Sequence, residues 1–251
     1  MTVLYFTATG NNLYVAKRIG GDILSIPKAI KEGNDSFSDD KIGLVFPIFG
    51  VSVPAIIEEF LKNISLQSEY IFAVMSYGMY SGAAASHLVE IGIPYGIGFS
   101  YINTIKMVDN YLPNFYMEKQ IASEYKKKIE ENLERIITDI GGARKYVHKD
   151  SGLDRLMTNR YRKAGVHRTG GLCEKFYIED VCTRCSICVS VCPVDNVRLQ
   201  GEKPDFEQHC INCLACIHAC PNNAIHFNGE KSRVRFRNQH IDVKEIISAN
   251  E

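Results

Sequence analysis

The chain contains Cys182-x2-Cys185-x2-Cys188-x3-Cys192-Pro193, and the same pattern returns as Cys210-x2-Cys213-x2-Cys216-x3-Cys220-Pro221. Together the two runs hold eight of the nine cysteines. In bacterial proteins with this spacing, three cysteines of a run bind one iron–sulfur cube and the fourth binds the other cube. The two runs therefore predict two [4Fe–4S] clusters and one-electron chemistry.

Crossed ligation divides the eight cysteines into two sets. The first set is Cys182, Cys185, Cys188 and Cys220, and the second is Cys210, Cys213, Cys216 and Cys192. Pro193 and Pro221 are expected to end a short helix after each fourth cysteine, because proline cannot continue a helix. Cys173 belongs to neither set. We interpret it as a buried thiol, with a redox role as the alternative.

The repeat extends beyond the cysteines, since Lys175 aligns with Lys203 and Val197 with Ile225. It predicts two copies of one small unit, each with a strand, a ligand loop and a short helical turn. Units of this size bury little apolar surface, so metal–thiolate bonds would supply part of the folding free energy. The alternatives are structural zinc, which favours pairs of Cys-x2-Cys separated by a longer loop, and disulfides, which a reducing cytosol disfavours.

Residues 1–145 alternate between short apolar runs and amphipathic stretches. This alternation predicts an α/β fold, a flavodoxin-like doubly wound parallel sheet of five strands with helices on both faces. A ligand of such a sheet is expected beyond the carboxyl ends of its strands. The predicted strands are 3–7, 22–26, 41–49, 70–76 and one within 96–107, and the predicted helices are 11–19, 54–61, 83–91 and 117–140.

Three loops at that edge carry the candidate cofactor-binding residues. The loop after the first strand combines hydroxyls, a glycine and a helix start without Lys or Arg, which suits a phosphate monoester; a plain capped helix is the alternative. The loop matches neither the dinucleotide nor the NTP-binding glycine motif. The other two loops combine aromatic residues with glycine, as a flat heteroaromatic ring requires. The candidates are Thr7, Ala8, Thr9, Gly10, Asn11 and Asn12; Pro47, Ile48, Phe49 and Gly50; and Ser76, Tyr77, Gly78, Met79, Tyr80 and Gly82.

The loop Thr7-x-Thr9-Gly10-Asn11 resembles the FMN-phosphate fingerprint of flavodoxins. Nearly the whole chain resembles the flavodoxin–ferredoxin fusion proteins of anaerobic bacteria and archaea, including the stretches 107–113, 175–177 and 235–238. The resemblance implies FMN held by residues 7–12, with loops 47–50 and 76–82 around its ring, followed by a 2[4Fe–4S] ferredoxin domain. Asn12 stands where many flavodoxins have Thr, and the chain has no Trp. Ring stacking would then fall to Phe49, Tyr77 or Tyr80.

Composition suggests four segments: a flavodoxin-like domain over 1–145, a basic linker over 146–172, a ferredoxin domain over 173–230 and a tail over 231–251. We interpret the linker as a solvated connector that docks the two domains, or as a docking patch for an acidic redox partner. The formal net charge of zero does not indicate a nucleic-acid binder. We find no secretory signal and no stretch long enough to span a membrane, so we expect a cytoplasmic protein.

The leading interpretation is an electron carrier that passes electrons between FMN, two [4Fe–4S] clusters and redox partner proteins. The alternatives are a flavin-dependent reductase of a small acceptor (a quinone, nitro compound or oxygen species) fed by its clusters, and a sensor that responds to cluster loss. No loop residue resembles an obligatory general base or nucleophile, so we predict no catalytic residue. The sequence leaves the donor, the acceptor and the oligomeric state open, and a homodimer is one option.

Overall fold

A computed structural model describes residues 1–165 and 171–251. Its N-terminal part is built on a parallel sheet whose strand order is β2-β1-β4-β6-β7-β8. The first five of these strands reproduce the doubly wound order 2-1-3-4-5 of flavodoxin-like folds. The strands of this part are β1 Thr2–Tyr5, β2 Asp22–Ser25, β3 Ser36–Ser38, β4 Lys41–Pro47, β5 Ser65–Gln67, β6 Tyr70–Tyr77, β7 Phe99–Lys106 and β8 Tyr146–Val147. The predicted fold class is confirmed.

The prediction of five strands was wrong by one, because β8 adds a sixth strand to the sheet. β8 lies in the segment interpreted as a linker, and it pairs in parallel with Tyr101 and Ile102 of β7. So short a strand gives no period that a sequence pattern can reveal. The short strands β3 and β5 were also missed, and they pair with each other outside the main sheet.

Helices cover both faces of the sheet. They are α1 Asn11–Ile19, α2 Ile26–Glu32, α3 Ala55–Lys62, α4 Ala84–Gly92, α5 Met117–Ala122, α6 Ile129–Gly141 and α7 Gly152–Lys163. Successive strand residues point to opposite faces, so Val3 and Tyr5 pack with α1 and α6, while Leu4 and Phe6 pack with α2, α3 and α4. The single helix predicted over 117–140 is broken, because Lys128 adopts a left-handed conformation between α5 and α6.

The C-terminal part follows the predicted repeat. Its elements are β9 Phe176–Ile178, α8 Ile187–Ser190, β10 Val197–Gln200, β11 Lys203–Phe206, α9 Ala215–Ala219, β12 Ile225–Phe227 and α10 Val243–Ser248. In the repeat, β9 aligns with β11, α8 with α9, and β10 with β12. The first residue of each element in the first unit aligns with Pro204, Ala215 and Ile225, respectively. β9 pairs with β12 and β10 pairs with β11, both antiparallel.

The C-terminal tail joins the two parts. Phe236 belongs to the apolar core of the repeat unit, whereas Ile241 and Ile246 belong to the core on the α1 side of the sheet. Val191 and Ala215 of the repeat unit reach the same core. The tail therefore packs against both parts of the chain. Among the described residues, no helix has the length and apolarity needed to cross a membrane.

Gly43 offers a test of packing at the centre of the sheet. It pairs with Phe72 across β4 and β6, and a Cβ atom at Gly43 would overlap the Phe72 ring. We predict that Gly43→Ala destabilises the protein by about 1–3 kcal/mol, the usual cost of overpacking a core. The measurement is the thermal unfolding midpoint of the purified protein. Gly98→Ala is the control, because nothing lies within 4 Å of a Cβ there, and an equal loss in both variants would contradict the prediction.

Candidate cluster and cofactor sites

The first set of cysteines lies around one small pocket at the surface of the C-terminal part. Cys182, Cys185, Cys188 and Cys220 all line it. Burial raises the pKa of the Cys188 thiol to about 11, and the neighbouring Cys220 and Cys185 contribute to the rise. A buried thiol resists ionisation unless a cation compensates the charge. This set therefore has the donor chemistry of a cluster site, at which metal binding would release protons.

The second set is also brought together, and Cys192 joins it from the other run. Burial raises the pKa of the Cys216 thiol well above its ordinary value, and the next causes are Cys213, Cys192 and Cys210. The pKa of the Cys213 thiol is raised for the same reason. The fourth cysteine of each run thus lies with the other run's first three, as the crossed prediction requires. Within the described residues, no group of three or more His, Cys, Asp or Glu side chains is close enough to hold a single metal ion. A four-iron cube is larger than one ion, so its ligands stand farther apart.

The ligand loops share a backbone conformation that sequence reasoning missed. Left-handed φ angles recur at equivalent positions of the two repeats: Arg184 with Asn212, Ser186 with Leu214, and Asp195 with Asn223. Such angles are unfavourable for residues with a Cβ, so the cysteine loops hold them against local preference. The Asp and Asn at three of these positions are the available sequence signal, because they tolerate this conformation best.

Backbone N–H groups point at the cysteine sulfurs. Asn196 N donates to Cys192 Sγ at 3.2 Å, and Ala224 N, at the equivalent position, donates to Cys220 Sγ at 3.2 Å. Hydrogen bonds to cluster sulfurs are one of the factors that set the reduction potential. The two fourth cysteines therefore receive matched N–H donors.

Cys173 lies nearer to the second set than expected. It is buried, its Sγ lies 3.4 Å from the Glu207 carbonyl oxygen, and its side chain is hydrogen-bonded to Cys210. This position agrees with the interpretation of Cys173 as a buried thiol outside both sets. The thiol also contacts Cys210, a member of the second set.

The loop after β1 has the chemistry of an anion cradle at the start of α1. Thr7 Oγ1 accepts the N–H of Gly10 at 3.1 Å, and Thr9 Oγ1 accepts an N–H of Asn110 at 2.6 Å. Each hydroxyl thus keeps its own proton to donate. Thr7, Ala8 and Thr9 are buried, and the N-terminus of α1 adds backbone N–H groups and a positive dipole end.

The two asparagines of this loop differ. Asn11 is engaged on both sides, because its Nδ2 donates to the Val108 carbonyl at 3.3 Å and its Oδ1 accepts from Asn238 at 3.1 Å. Asn12 is 2% exposed, and its Oδ1 has no hydrogen-bond partner. Exchanging the oxygen and nitrogen positions of that amide would present an N–H donor in its place. An orphaned buried amide beside two hydroxyl donors fits a phosphate group.

The tail forms a roof over this loop. Asn238 N donates to the Thr9 carbonyl at 2.9 Å, and a Cβ at Gly10 would lie 3.0 Å from Ile241 Cβ. Gly10 also has a φ of 93°. The tail contact therefore requires glycine at this position independently of any phosphate. Sequence reasoning had no signal for it, because the contact joins segments near the two ends of the chain.

The loop over 47–50 contributes an apolar wall. Ile48 and Phe49 pack against the core on the α3 side of the sheet. The Phe49 ring lies edge-on to Phe6, with centroids 6.1 Å apart. Pro47 ends β4 and Gly50 follows the wall in a left-handed conformation. This loop is where the sequence predicted it, at the carboxyl edge of the sheet.

The loop over 76–82 changes from buried to exposed along its length. Ser76 is buried, and burial raises the pKa of the half-buried Tyr77 phenol. Met79 and Tyr80 are 67% and 40% exposed. The Tyr80 hydroxyl donates to Asp154 of α7. Of the three aromatic residues proposed for stacking, Tyr77 has its ring least committed to another partner.

Asp109 is a half-buried acid that sequence reasoning did not select. Its carboxylate lies where a Cβ on Gly78 would have to be, and it accepts the N–H groups of Tyr111 and Met79. Burial raises the pKa of this carboxyl. Asp109 thereby fixes the loop over 76–82 to the segment after β7. Its place within the stretch 107–113 was the available signal.

The same segment links the sheet to the cluster region. His218 Nε2 donates to the Asn110 carbonyl at 2.8 Å, and its Nδ1 accepts the N–H of Phe236 at 3.1 Å. Burial lowers the pKa of His218 to about 4. The imidazole is therefore neutral at physiological pH, and it joins α9 to the loop after β7 and to the tail.

The second cysteine set abuts the sheet, whereas the first faces solvent. Cys213 packs against the apolar cores on both faces of the sheet, and Val194 and Ile211 pack on the side that contains Phe49. Cys185 of the first set is exposed. The chain thus places one set inward, at the carboxyl edge of the sheet, and the other outward.

Crossed ligation gives a prediction about the fourth cysteines. Cys192→Ala should remove the cluster held by Cys210, Cys213 and Cys216, because Cys192 lies with them and not with its own run. Cys220→Ala should remove the other cluster. Iron analysis and electron paramagnetic resonance of anaerobically purified variants would identify the cluster lost. Cys173→Ala is the control and should keep both, and loss of the cluster nearest in sequence would contradict the assignment.

Comparison with protein families gives one match, in the C-terminal part of the chain. Residues 147–239 match a family described as a 4Fe-4S dicluster domain. The match contains all eight cysteines of the two runs, and it supports iron–sulfur clusters over zinc. A search of curated protein sequences finds no significant match.

Two solved structures are similar to parts of this chain at low sequence identity. The Trp repressor binding protein from Bacillus subtilis is 11% identical, with a TM-score of 0.33 over 42% of this chain and 82% of that chain. An azoreductase from Bacillus anthracis str. Sterne is 10% identical, with a TM-score of 0.34 over 55% of this chain and 97% of that chain. Because both TM-scores are below 0.5, the fold assignment rests on the strand order of the sheet. Fold and family match together describe an iron–sulfur protein with a flavodoxin-like domain.

Proposed function

We propose that this protein is an electron carrier of the flavodoxin–ferredoxin fusion type, with FMN and two [4Fe–4S] clusters in one chain. The observation that carries the proposal is the contact of Cys213 with both apolar cores of the sheet. A cluster held there would adjoin the edge at which flavodoxin-like sheets bind their ligand. No further protein would be needed between the flavin and the clusters.

The two clusters would differ in exposure and therefore in role. Cys185 is exposed, whereas Cys216 is buried and the neighbouring Cys213 packs on the sheet. The outer cluster would be held by Cys182, Cys185, Cys188 and Cys220, and the inner one by Cys192, Cys210, Cys213 and Cys216. Solvent exposure is one of the variables that set cluster potential. We infer that the outer cluster exchanges electrons with partners and the inner one relays them.

Residues of the three loops would hold FMN. When bound, FMN supplies the exchange between one-electron and two-electron chemistry. Thr7 and Thr9 would donate their hydroxyl protons to the phosphate, and Asn12 would add its amide. Ile48, Phe49 and Tyr77 would exclude water from the ring. Asp109 would keep the loop over 76–82 in position through its bonds to Met79 and Tyr111.

The surroundings of the loops over 47–50 and 76–82 favour an electron carrier over a reductase of small acceptors. Such a reductase needs an open pocket beside residues 47–50 and 76–82. Helix α7 lies across this region, because Thr158 Oγ1 accepts the N–H of Ala83 at 2.8 Å and donates to the Val51 carbonyl at 3.1 Å. A cytoplasmic location completes the proposal, since thiolate ligands require a reducing compartment.

Stoichiometry and redox titration test the proposed function. Anaerobically purified protein should contain one FMN and two four-iron clusters per chain. A titration followed at flavin and cluster wavelengths should show both kinds of centre accepting electrons. Protein with intact clusters that binds no flavin would show that electrons pass through the clusters alone, and zinc in place of iron would refute the cluster assignment.

The anion cradle yields a prediction that separates phosphate binding from general flavin binding. Thr9→Ala removes a hydroxyl donor to a charged acceptor, a bond worth about 1.5–3 kcal/mol, so FMN affinity should fall roughly ten- to a hundredfold. Riboflavin has no phosphate, and its affinity should be nearly unchanged. The measurement is fluorescence titration of flavin-free protein with each ligand.

Two comparisons control this titration. Thr138→Ala removes an exposed helix hydroxyl that donates to the Glu134 carbonyl, and it should leave both affinities unchanged. Iron content should stay constant in every variant, because the cysteines lie in another part of the chain. Equal weakening of FMN and riboflavin by Thr9→Ala would show that residues 7–12 are not the phosphate site.

A further inference from the structure

Helix α7 has an inward face that is fixed and an outward face that is exposed. Asp154 and Thr158 bond to the loops at the sheet edge. Leu153 and Leu156 are 67% and 55% exposed. Residues three or four apart share a helix face, so Leu153, Leu156 and Arg160 lie on the same, outward face of α7. An apolar pair in solvent on a docked helix is unusual unless another surface covers it.

The net charge of this region is positive, and two of its cations form ion pairs with acids on neighbouring elements, Arg144 with Asp139 and Arg162 with Glu90. Residues 144–163 contain seven Lys or Arg and two acids. Both acids are used internally: Asp150 accepts the N–H of Ser86, and Asp154 caps α7. Arg155 and Arg160 are exposed and form no ion pair with residues 1–165 or 171–251. Two exposed leucines therefore lie beside two arginines whose ion-pair partners are not within the described chain.

This surface adjoins the loop assigned to the flavin ring. The Tyr80 hydroxyl bonds to Asp154, next to Leu153, and the exposed Met79 precedes Tyr80. We propose that the outward face of α7, with Met79 and Tyr80, is the docking surface for an acidic electron-transfer protein. This inference rests on the proposed function, and it names the partner of the flavin end of the carrier.

The chemistry of the surface favours a protein partner with acidic groups around an apolar centre. Interfaces bury an apolar core inside a polar rim, and α7 offers Leu153 and Leu156 with Arg155 and Arg160 beside them. Complementary charge steers encounter and orients the partner more than it adds affinity. Brief, oriented encounters suit a carrier that must release its partner after one electron has passed.

The test uses the full holoprotein and a prereduced, strongly acidic two-cluster ferredoxin as the probe. One electron leaves the probe's cluster and enters this chain, and stopped-flow absorbance gives the second-order rate. In Arg155→Glu/Arg160→Glu the rate at low ionic strength should fall about ten- to a hundredfold, and its dependence on salt should flatten. With the reduced holoprotein as the electron donor and an oxidised, basic c-type cytochrome as the acceptor, the same variant should react faster than the wild type.

The control is Lys62→Glu/Arg135→Glu, which makes the same change of net charge at exposed residues of α3 and α6. Its rates should stay within about twofold of the wild type, since exposed charges farther away than a Debye length are screened. Iron content and circular dichroism verify that each variant is folded. Equal slowing in both double variants would overturn the proposal, because it would reveal a general field and no docking surface.

Two further measurements separate the remaining outcomes. Calorimetry of the oxidised proteins measures complex formation without electron transfer. If the probe binds wild type but not the α7 variant, and yet no electron passes, then docking stands and the carrier function fails. Sedimentation with vesicles rich in anionic lipid tests a membrane as the occupant. Vesicle binding that depends on Arg155 and Arg160, with ferredoxin rates unchanged, would overturn the proposal.

Discussion

The structure depends on the convergence of cysteine thiols from two separate runs. Cys192 lies among the cysteines of the second run, and Cys220 lies among those of the first. Neither repeat unit buries enough apolar surface to stand alone, so bonds to metal from both units would tie them into one body. The antiparallel pairing of β9 with β12 closes the same body. Crossed ligation, as predicted, would therefore act as a folding constraint before it acts as a redox arrangement.

That constraint determines how the cluster region meets the sheet. With the two units held together, α9 presents Ala215 and Ala219 to the α1 side, and Cys213 reaches both cores. His218 then fixes the loop after β7 and the tail to α9 with a neutral ring. From Phe236 onward the tail leaves the cluster core and crosses the anion cradle, where Asn238 and Ile241 form the roof. The anion cradle and the second cysteine set are thereby joined through α9 and the tail.

Sequence reasoning succeeded where the determinants are local. The cysteine spacing and its repeat predicted a strand, a ligand loop and a short helical turn in each unit, because each ligand loop carries its own geometry. They missed the second strand of each unit, β10 and β12. Apolar alternation predicted the five main parallel strands, because that signal is local as well. It missed β8, which is too short to show a period, and the break at Lys128, where a left-handed residue interrupts a pattern that still reads as helical. The roof over Gly10 and the partial burial of Asp109 could not be predicted, since both arise from contacts between segments distant in sequence.

Two separate constraints favour glycine at position 10, one from the phosphate-binding motif and one from the fold. The fingerprint requires glycine so that the backbone can approach a phosphate, and the fold requires it because a Cβ would press on Ile241. Its φ of 93° adds a further demand. Any ligand that enters the cradle must therefore be accommodated beneath the tail, which is anchored at both ends by Phe236 and Ile246. The tail thus connects the anion cradle, through Asn238 and Ile241, to the apolar core that contains Phe236 and the buried Cys192 and Cys216.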